Sequence, residues 1–256
     1  MANLKEIRSR ITSVGSTMQI TSAMKMVSAA KLKRAQDAVT QMRPYANKLT
    51  ELLENLSASL SSSEGGAFSQ EREVKNVLLV VVTSNRGLCG GFNAYIMKRA
   101  KSLINNEYVN ANVNILSIGK KSSEHFTKNG FNVVSTHDAL YADLTFENVA
   151  KVAEGIMEQY LVGDYDKVVL VYNQFKNAAT QIIMSENYLP VQTPESESAS
   201  VGDYLFEPTK QEIVEQLIPK SLKTQLFKAV LDSHAAEHGA RMTAMHKATD
   251  NASELK

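Results

Sequence analysis

Tryptophan is absent from this 256-residue chain, cysteine occurs once, at Cys89, and proline only five times. One cysteine cannot close an intrachain disulfide and fits a reducing compartment. No apolar run approaches the eighteen or so residues of a membrane span. The first residues enter a helix pattern directly, so no signal or transit segment is expected, and the chain reads as cytosolic and soluble. An excess of one charge is missing as well, since 28 Lys and Arg face 27 Asp and Glu. The distribution is uneven, however. Residues 1–48 carry Lys5, Arg8, Arg10, Lys25, Lys31, Lys33, Arg34, Arg43 and Lys48 against Glu6 and Asp37 alone, which leaves the remainder net acidic.

What is present is a long regular seam. Leu4, Ile7, Ile11, Val14, Met18, Thr21, Lys25, Ser28, Leu32, Ala35, Val39, Met42, Ala46, Leu49, Leu53, Leu56 and Leu60 alternate spacings of four and three without a slip, the mark of a left-handed coiled coil. At about 1.5 Å per residue such a helix reaches about 85 Å, well beyond the width of a domain of this size. It is a basic rod that must meet something outside its own domain. A second seam closes the chain. After Ile213, Leu217 and Pro219 come Leu222, Leu226, Ala229, Ser233, Ala236, Ala240 and Thr243, continued in shifted register by Met245, Ala248, Ala252 and Leu255. Its alanines and serine let two antiparallel backbones approach closely.

Between the rods, Ser57–Gln70 is a serine- and glycine-rich loop, and alternating strands and helices follow. Strands are expected over Asn76–Thr83, Val113–Ile118, Phe131–Ser135, Lys167–Tyr172 and Gln181–Tyr188, and helices over Ala94–Asn105, Lys121–Asn129 and Thr145–Leu161. The composition, 43% hydrophobic and 21% charged, is enough for one core. Strands buried on both faces and joined by helices imply a mostly parallel, Rossmann-like sheet. The fold class is α/β: a coiled-coil helix over 1–60, a Rossmann-like domain over 74–190 and a second coiled-coil helix over 208–256. Pro190–Gly202 reads as a polar connector.

Four local signals carry possible chemistry. Ser84–Asn93 (SNRGLCGGFN) is a glycine turn between strand and helix, where backbone amides could hold a phosphate. It lacks the Gly-Lys-Ser/Thr of a P-loop, and in the frame of Gly87 a dinucleotide turn would need glycines where Cys89 and Phe92 stand. Gly87, Cys89, Gly90 and Gly91 therefore read as a structural turn. Cys89 near a helix start could be a lowered-pKa thiol, but no partner base is visible, and a packed thiol is the simpler reading. His234, Glu237 and His238 spell H-x-x-E-H, a zinc pattern, yet no third ligand is in reach, since Glu254 lies about 24 Å along the helix. Finally, in Met18–Ala30 (MQITSAMKMVSAA) the seam turns polar at Thr21, Lys25 and Ser28 while Ile20, Ala23, Met24, Met26 and Val27 put apolar groups on the other faces. A helix apolar nearly all round must be enclosed. It is either an ordinary core helix or a shaft in a sleeve.

Met24–Val27 with the basic run to Arg34, Thr83–Asn93, YLFEP from Tyr204 and GARMTAMHKATDNA from Gly239 together resemble the gamma subunit of the F-type rotary ATP synthase. Order and spacing match along essentially the whole chain. The resemblance implies a non-catalytic central rotor stalk, without cofactor, metal, nucleic acid or small-molecule substrate. Its shaft would stand inside the ring of alpha and beta subunits. Its α/β domain would lie against the epsilon subunit and the membrane c-ring, on the cytoplasmic face of the bacterial inner membrane. By matching position, Met24, Lys25, Met26 and Arg241 would contact the beta subunits, and Tyr204, Phe206 and Glu207 the rotor ring. The family's closing I-T-x-E-I-x-E-I-x-x-G-A segment is missing, which implies a pair of helices of unequal reach. Two rivals stand beside this reading: a nucleotide-binding enzyme using the glycine turn, and a static coiled-coil scaffold.

Overall fold

A computed structural model describes residues 3–58, 67–191 and 210–256. Helix α1 spans Leu4–Ala58. Then come β1 (Asn76–Val82), α2 (Phe92–Ser102) prolonged by a π-helical turn (Leu103–Glu107), β2 (Asn112–Ile118), α3 (Lys120–Lys128) and β3 (Val133–Thr136). A 3-10 turn (Asp138–Tyr141), α4 (Phe146–Val162), β4 (Lys167–Phe175), β5 (Gln181–Leu189) and α5 (Lys210–Glu254) complete the order. Each expected element is present, with ends displaced by up to three residues. Helix α1 continues through Ser57 and Ala58, where the loop was expected to begin, and α5 runs through Pro219 without a break. Most of the loop before Gln70, and the connector beyond Val191, lie outside the described residues.

The sheet order is β3-β2-β1-β4-β5. The first four strands are parallel and β5 returns antiparallel to β4. Strand β1, NVLLVVV, is buried at six of its seven positions, because helices cover both faces of a parallel sheet. On one face Leu78, Val80 and Val82 meet Val149, Ala153, Ile156 and Tyr160 of α4 and Leu222, Leu226 and Val230 of α5. On the other, Val77, Leu79 and Val81 meet Ile96 and Ala100 of α2 and Phe126 of α3. Helix α4 begins where the Thr145 hydroxyl accepts from the Asn148 N–H and ends at left-handed Gly163, the residue that terminates helices at least cost.

Helices α1 and α5 run antiparallel. Lys256 approaches Gly15, the hydroxyl of Thr249 donates to that of Thr21 at 2.8 Å, and Lys25 Nζ lies 3.2 Å from His246 Nδ1. Farther along, Leu32, Ala35 and Val39 bury against Leu231, Ala235 and Ala236. The polar seam residues thus meet polar partners, a device that pins register. Toward its start α1 passes the last residue of α5, and Leu4, Ile7 and Ile11 are exposed.

One turn is set by backbone clearance. Gly119, between β2 and α3, has φ of +101°, and a Cβ there would stand 2.1 Å from the Thr83 carbonyl oxygen. Gly119→Ala should lower stability by about 3 kcal/mol through this clash and the unfavourable φ. Urea midpoints check this, and a loss under about 1 kcal/mol would show that the turn can relax.

Candidate functional site

In a sheet of this order the direction of winding reverses between β1 and β4, and ligands of doubly wound folds sit in the crevice beyond those strand ends. Here the chain fills the crevice with its own helices. Gly239 of α5 rests on Ala178, so closely that a Cβ would lie 3.1 Å from that backbone. The Thr243 hydroxyl donates to the Ala178 carbonyl at 3.1 Å. Arg241 donates to the carbonyls of Arg86 and Gly87 at 3.0 and 3.3 Å, and Arg43 of α1 donates to the carbonyl of Phe175 at 2.9 Å. Cys89, Phe92 and Phe175 pack beneath with Leu32, Ala35 and Val39.

The glycine turn therefore offers α5 acceptors, whereas a phosphate needs donors. Leu88 and Gly90 take positive φ to achieve this. The loop is held from within by Asn93, whose side-chain oxygen accepts from the Ser84 N–H at 3.0 Å and whose amide donates to Ser84 Oγ at 2.7 Å. Burial pushes the Cys89 thiol up, and Asn93 donates to its sulfur at 3.2 Å. A buried, protonated thiol is inert.

The H-x-x-E-H residues are also absorbed internally. His234 Nε2 and His238 Nε2 face each other at 3.0 Å, and Tyr141 stacks on His234 at 5.7 Å. Glu237 is paired with Arg241 at 2.5 Å instead of pointing between the imidazoles. Among the described residues no group of three metal-ligating side chains converges. His238 Nδ1 is buried without a partner, which costs less as a bare lone pair than as an unsatisfied N–H. With the proton on Nε2, His238 donates to His234 Nε2 and Nδ1 is left as a lone pair. Burial first, and then Lys31 and Arg241, hold His234 down to about 4. Burial, His234, Arg241 and Lys31 hold His238 down to about 3. The pair is neutral at pH 7.

The outer face of the shaft is different. Ile20, Met26 and Val27 are 60%, 65% and 57% exposed, continued by exposed Lys31, Lys33 and Arg34. Helix α5 covers only the opposite side, so the apolar circumference of Met18–Ala30 is half bare. Met24, half-buried, lines a cleft of about 570 Å³ together with Lys31, the Asn85–Leu88 turn, Tyr141, His234 and Arg241.

A family model described as ATP synthase matches residues 3–256. The ATP synthase gamma chain of Flavobacterium johnsoniae is 63% identical over 257 residues, covering 100% of this chain and 89% of that protein. That of Chlorobium phaeobacteroides is 47% identical with the same coverage. The chain belongs to the ATP synthase gamma family. Among solved structures, the central stalk and c-ring of the Tetrahymena thermophila mitochondrial ATP synthase contains a chain of TM-score 0.68 and 27% identity, with 90% of this chain and 99% of that one covered. The Euglena gracilis mitochondrial rotor shares the fold, at TM-score 0.65 and 20% identity over 98% and 92% of the two chains.

As a gamma chain it is a non-catalytic stalk subunit. At the glycine turn of its Rossmann-like sheet, the Arg86 and Gly87 carbonyls that face the crevice are taken up by Arg241 of α5. The structure brings Met24 and Arg241 to one cleft and sets Lys25 against His246, while Met26 stands free on the outer face. Arg241 differs from its expected outward role. It is 8% exposed, and its guanidinium is committed to Glu237 and the glycine turn. Tyr204, Phe206 and Glu207 lie outside the described residues. Sequence reasoning missed Asn93, Arg43 and Asp232. Asn93 had a usable signal, an amide side chain at the helix start just after two glycines.

Unfolded imidazoles take up a proton near pH 6.5, whereas His234 and His238 stay neutral until about 4 and about 3. Between those limits the unfolded chain binds more protons, so stability is lost as pH falls, on the order of 4 kcal/mol for the pair between pH 7 and pH 5. Urea midpoints of wild type and His234→Gln/His238→Gln at both pH values test this. The wild type should lose more across the interval, and equal losses would mean that the imidazoles titrate normally.

Proposed function

We propose that this gamma chain is the central rotor shaft that couples proton flow through a membrane c-ring to ATP synthesis or hydrolysis at catalytic beta subunits. The observation that carries the proposal is the bare apolar and basic face of α1 at Ile20–Arg34, on a helix whose other side is satisfied by α5. Water is a poor neighbour for three large apolar side chains in a row of this kind, and a sleeve of alpha and beta subunits would cover them. Unbranched Met24 and Met26 can repack against successive partners. Lys25 brings an ammonium to carboxylates on the beta subunits, and Arg241 supports the contact from inside by stiffening the glycine turn. Because the pair of helices is asymmetric, each orientation presents a different surface to each beta subunit. The differential contact free energy shifts nucleotide affinity site by site.

The same proposal sets the α/β domain and the Tyr204–Glu207 segment against the c-ring and an epsilon subunit, at the cytoplasmic face of the bacterial inner membrane. No helix among the described residues is long and apolar enough to cross a membrane, and a peripheral position needs none.

Membranes bearing a complex reconstituted with this chain and the catalytic subunits test the reading, with proton pumping per ATP hydrolysed as the readout. Met24→Lys adds a second ammonium beside Lys25 and should lock one orientation by roughly 1 kcal/mol. Assembly should survive while pumping per ATP falls. An unchanged ratio would remove Met24 from the torque contact.

Glu207→Lys should weaken docking of the soluble sector to the membrane, most at low salt, where charges are least screened. ATPase activity of the detached sector should persist. Unchanged membrane retention at low ionic strength would take Glu207 out of that contact.

A further inference from the structure

The two helices of the shaft are joined to the α/β domain in unlike ways. Helix α5 belongs to the domain core through Leu222, Leu226, Ala229 and Val230, and it is tied to the loops by Thr243 and Arg241. Helix α1 lies outside that core. It touches the domain through the small cluster of Leu32, Ala35 and Val39 on Cys89, Phe92 and Phe175, and through Arg43. Apolar contact of that kind is non-directional and resists separation better than it resists turning.

Arg43 supplies the direction. Its Nη2 donates to the carbonyl of Phe175 at 2.9 Å and to Asp232 Oδ1 at 3.0 Å. One guanidinium therefore joins α1, the last residue of β4 and the middle of α5. The Asp232 side chain has no exposed surface, while that of Arg43 is 42% exposed, so the carboxylate is anchored in the domain and the arginine reaches in to it. The second carboxylate oxygen, Oδ2, is buried without a partner. A buried pair with an orphaned oxygen is a poor source of stability, since apolar residues of similar volume commonly serve as well or better. Something other than stability accounts for it. Pro44 follows Arg43 directly, and proline removes a rung of the helix ladder, so the tie sits where α1 lacks one of its own backbone hydrogen bonds.

We infer that Arg43, held by Asp232 and the Phe175 carbonyl, is the positioning residue that fixes the rotational phase of α1 relative to the α/β domain. Twist delivered to the domain then reaches the bare face of α1 without slip. The inference rests on the rotor-shaft reading above.

The test uses the assembled, membrane-bound ATP synthase carrying variants of this chain. Arg43→Met/Asp232→Leu removes both charges together and keeps apolar bulk, and Arg43→Lys keeps the charge but not the two-ended reach. For the double variant the thermal midpoint should stay near or above that of wild type, while proton pumping per ATP hydrolysed falls at least twofold. Arg43→Lys should fall between. A role in packing alone would move the midpoint and leave the ratio unchanged. A wild-type ratio in a stable double variant overturns the inference, and if the double variant fails to assemble, a wild-type ratio in Arg43→Lys does so. Failure of the wild-type chain itself to support pumping would count against the rotor-shaft reading, a different outcome from either.

Discussion

Helix α5 is buried on two sides at once, and the rest of the molecule depends on that constraint. One side, through Leu222, Leu226, Ala229 and Val230, closes the core of the sheet, while the other, through Leu231, Ala235 and Ala236, receives α1. A helix shared by a domain and a coil removes the hinge that would otherwise lie between them. Small side chains make the sharing possible: α1 packs on Ala235 and Ala236, and the β4–β5 turn at Ala178 comes close to the α5 backbone where Gly239 leaves no Cβ in the way.

The same arrangement decides what the α/β domain can do. A parallel sheet with this strand order has a natural ligand crevice, and a glycine-rich turn stands at its edge. Both features are used to grip α5. The carbonyls of Arg86 and Gly87 accept from Arg241, and Asn93 locks the turn from behind. A scaffold that elsewhere holds nucleotides serves here as a socket for a shaft, consistent with a fold carrying its function in the groups placed on it.

The periodic elements were legible because their cause is local. The four-three spacing of the seam and the β-branched runs reveal burial without reference to any distant residue. Boundaries slipped where tertiary context decides them, as at the π-helical turn of Leu103–Glu107 that prolongs α2. The junction was not legible. Arg43 and Asp232 are 189 positions apart, and no local pattern announces that an arginine outside the seam of α1 will find a buried carboxylate on α5. H-x-x-E-H is ambiguous in sequence for a related reason. Helical spacing brings two imidazoles together whether they hold a metal or each other, and only the third dimension shows Glu237 turned to Arg241. The outward assignment of Arg241 came from resemblance, and its packing inside this chain corrects it.

If α5 makes coil and domain a single body, its amides must open together with the sheet. Native-state hydrogen exchange resolved by residue measures this directly. The account predicts one common opening free energy for the α5 amides of Leu222–Ala236 and the β4 amides of Val168–Tyr172. Exchange of α5 through a lower-energy opening, with β4 still protected, would contradict it and make the shaft a separable part.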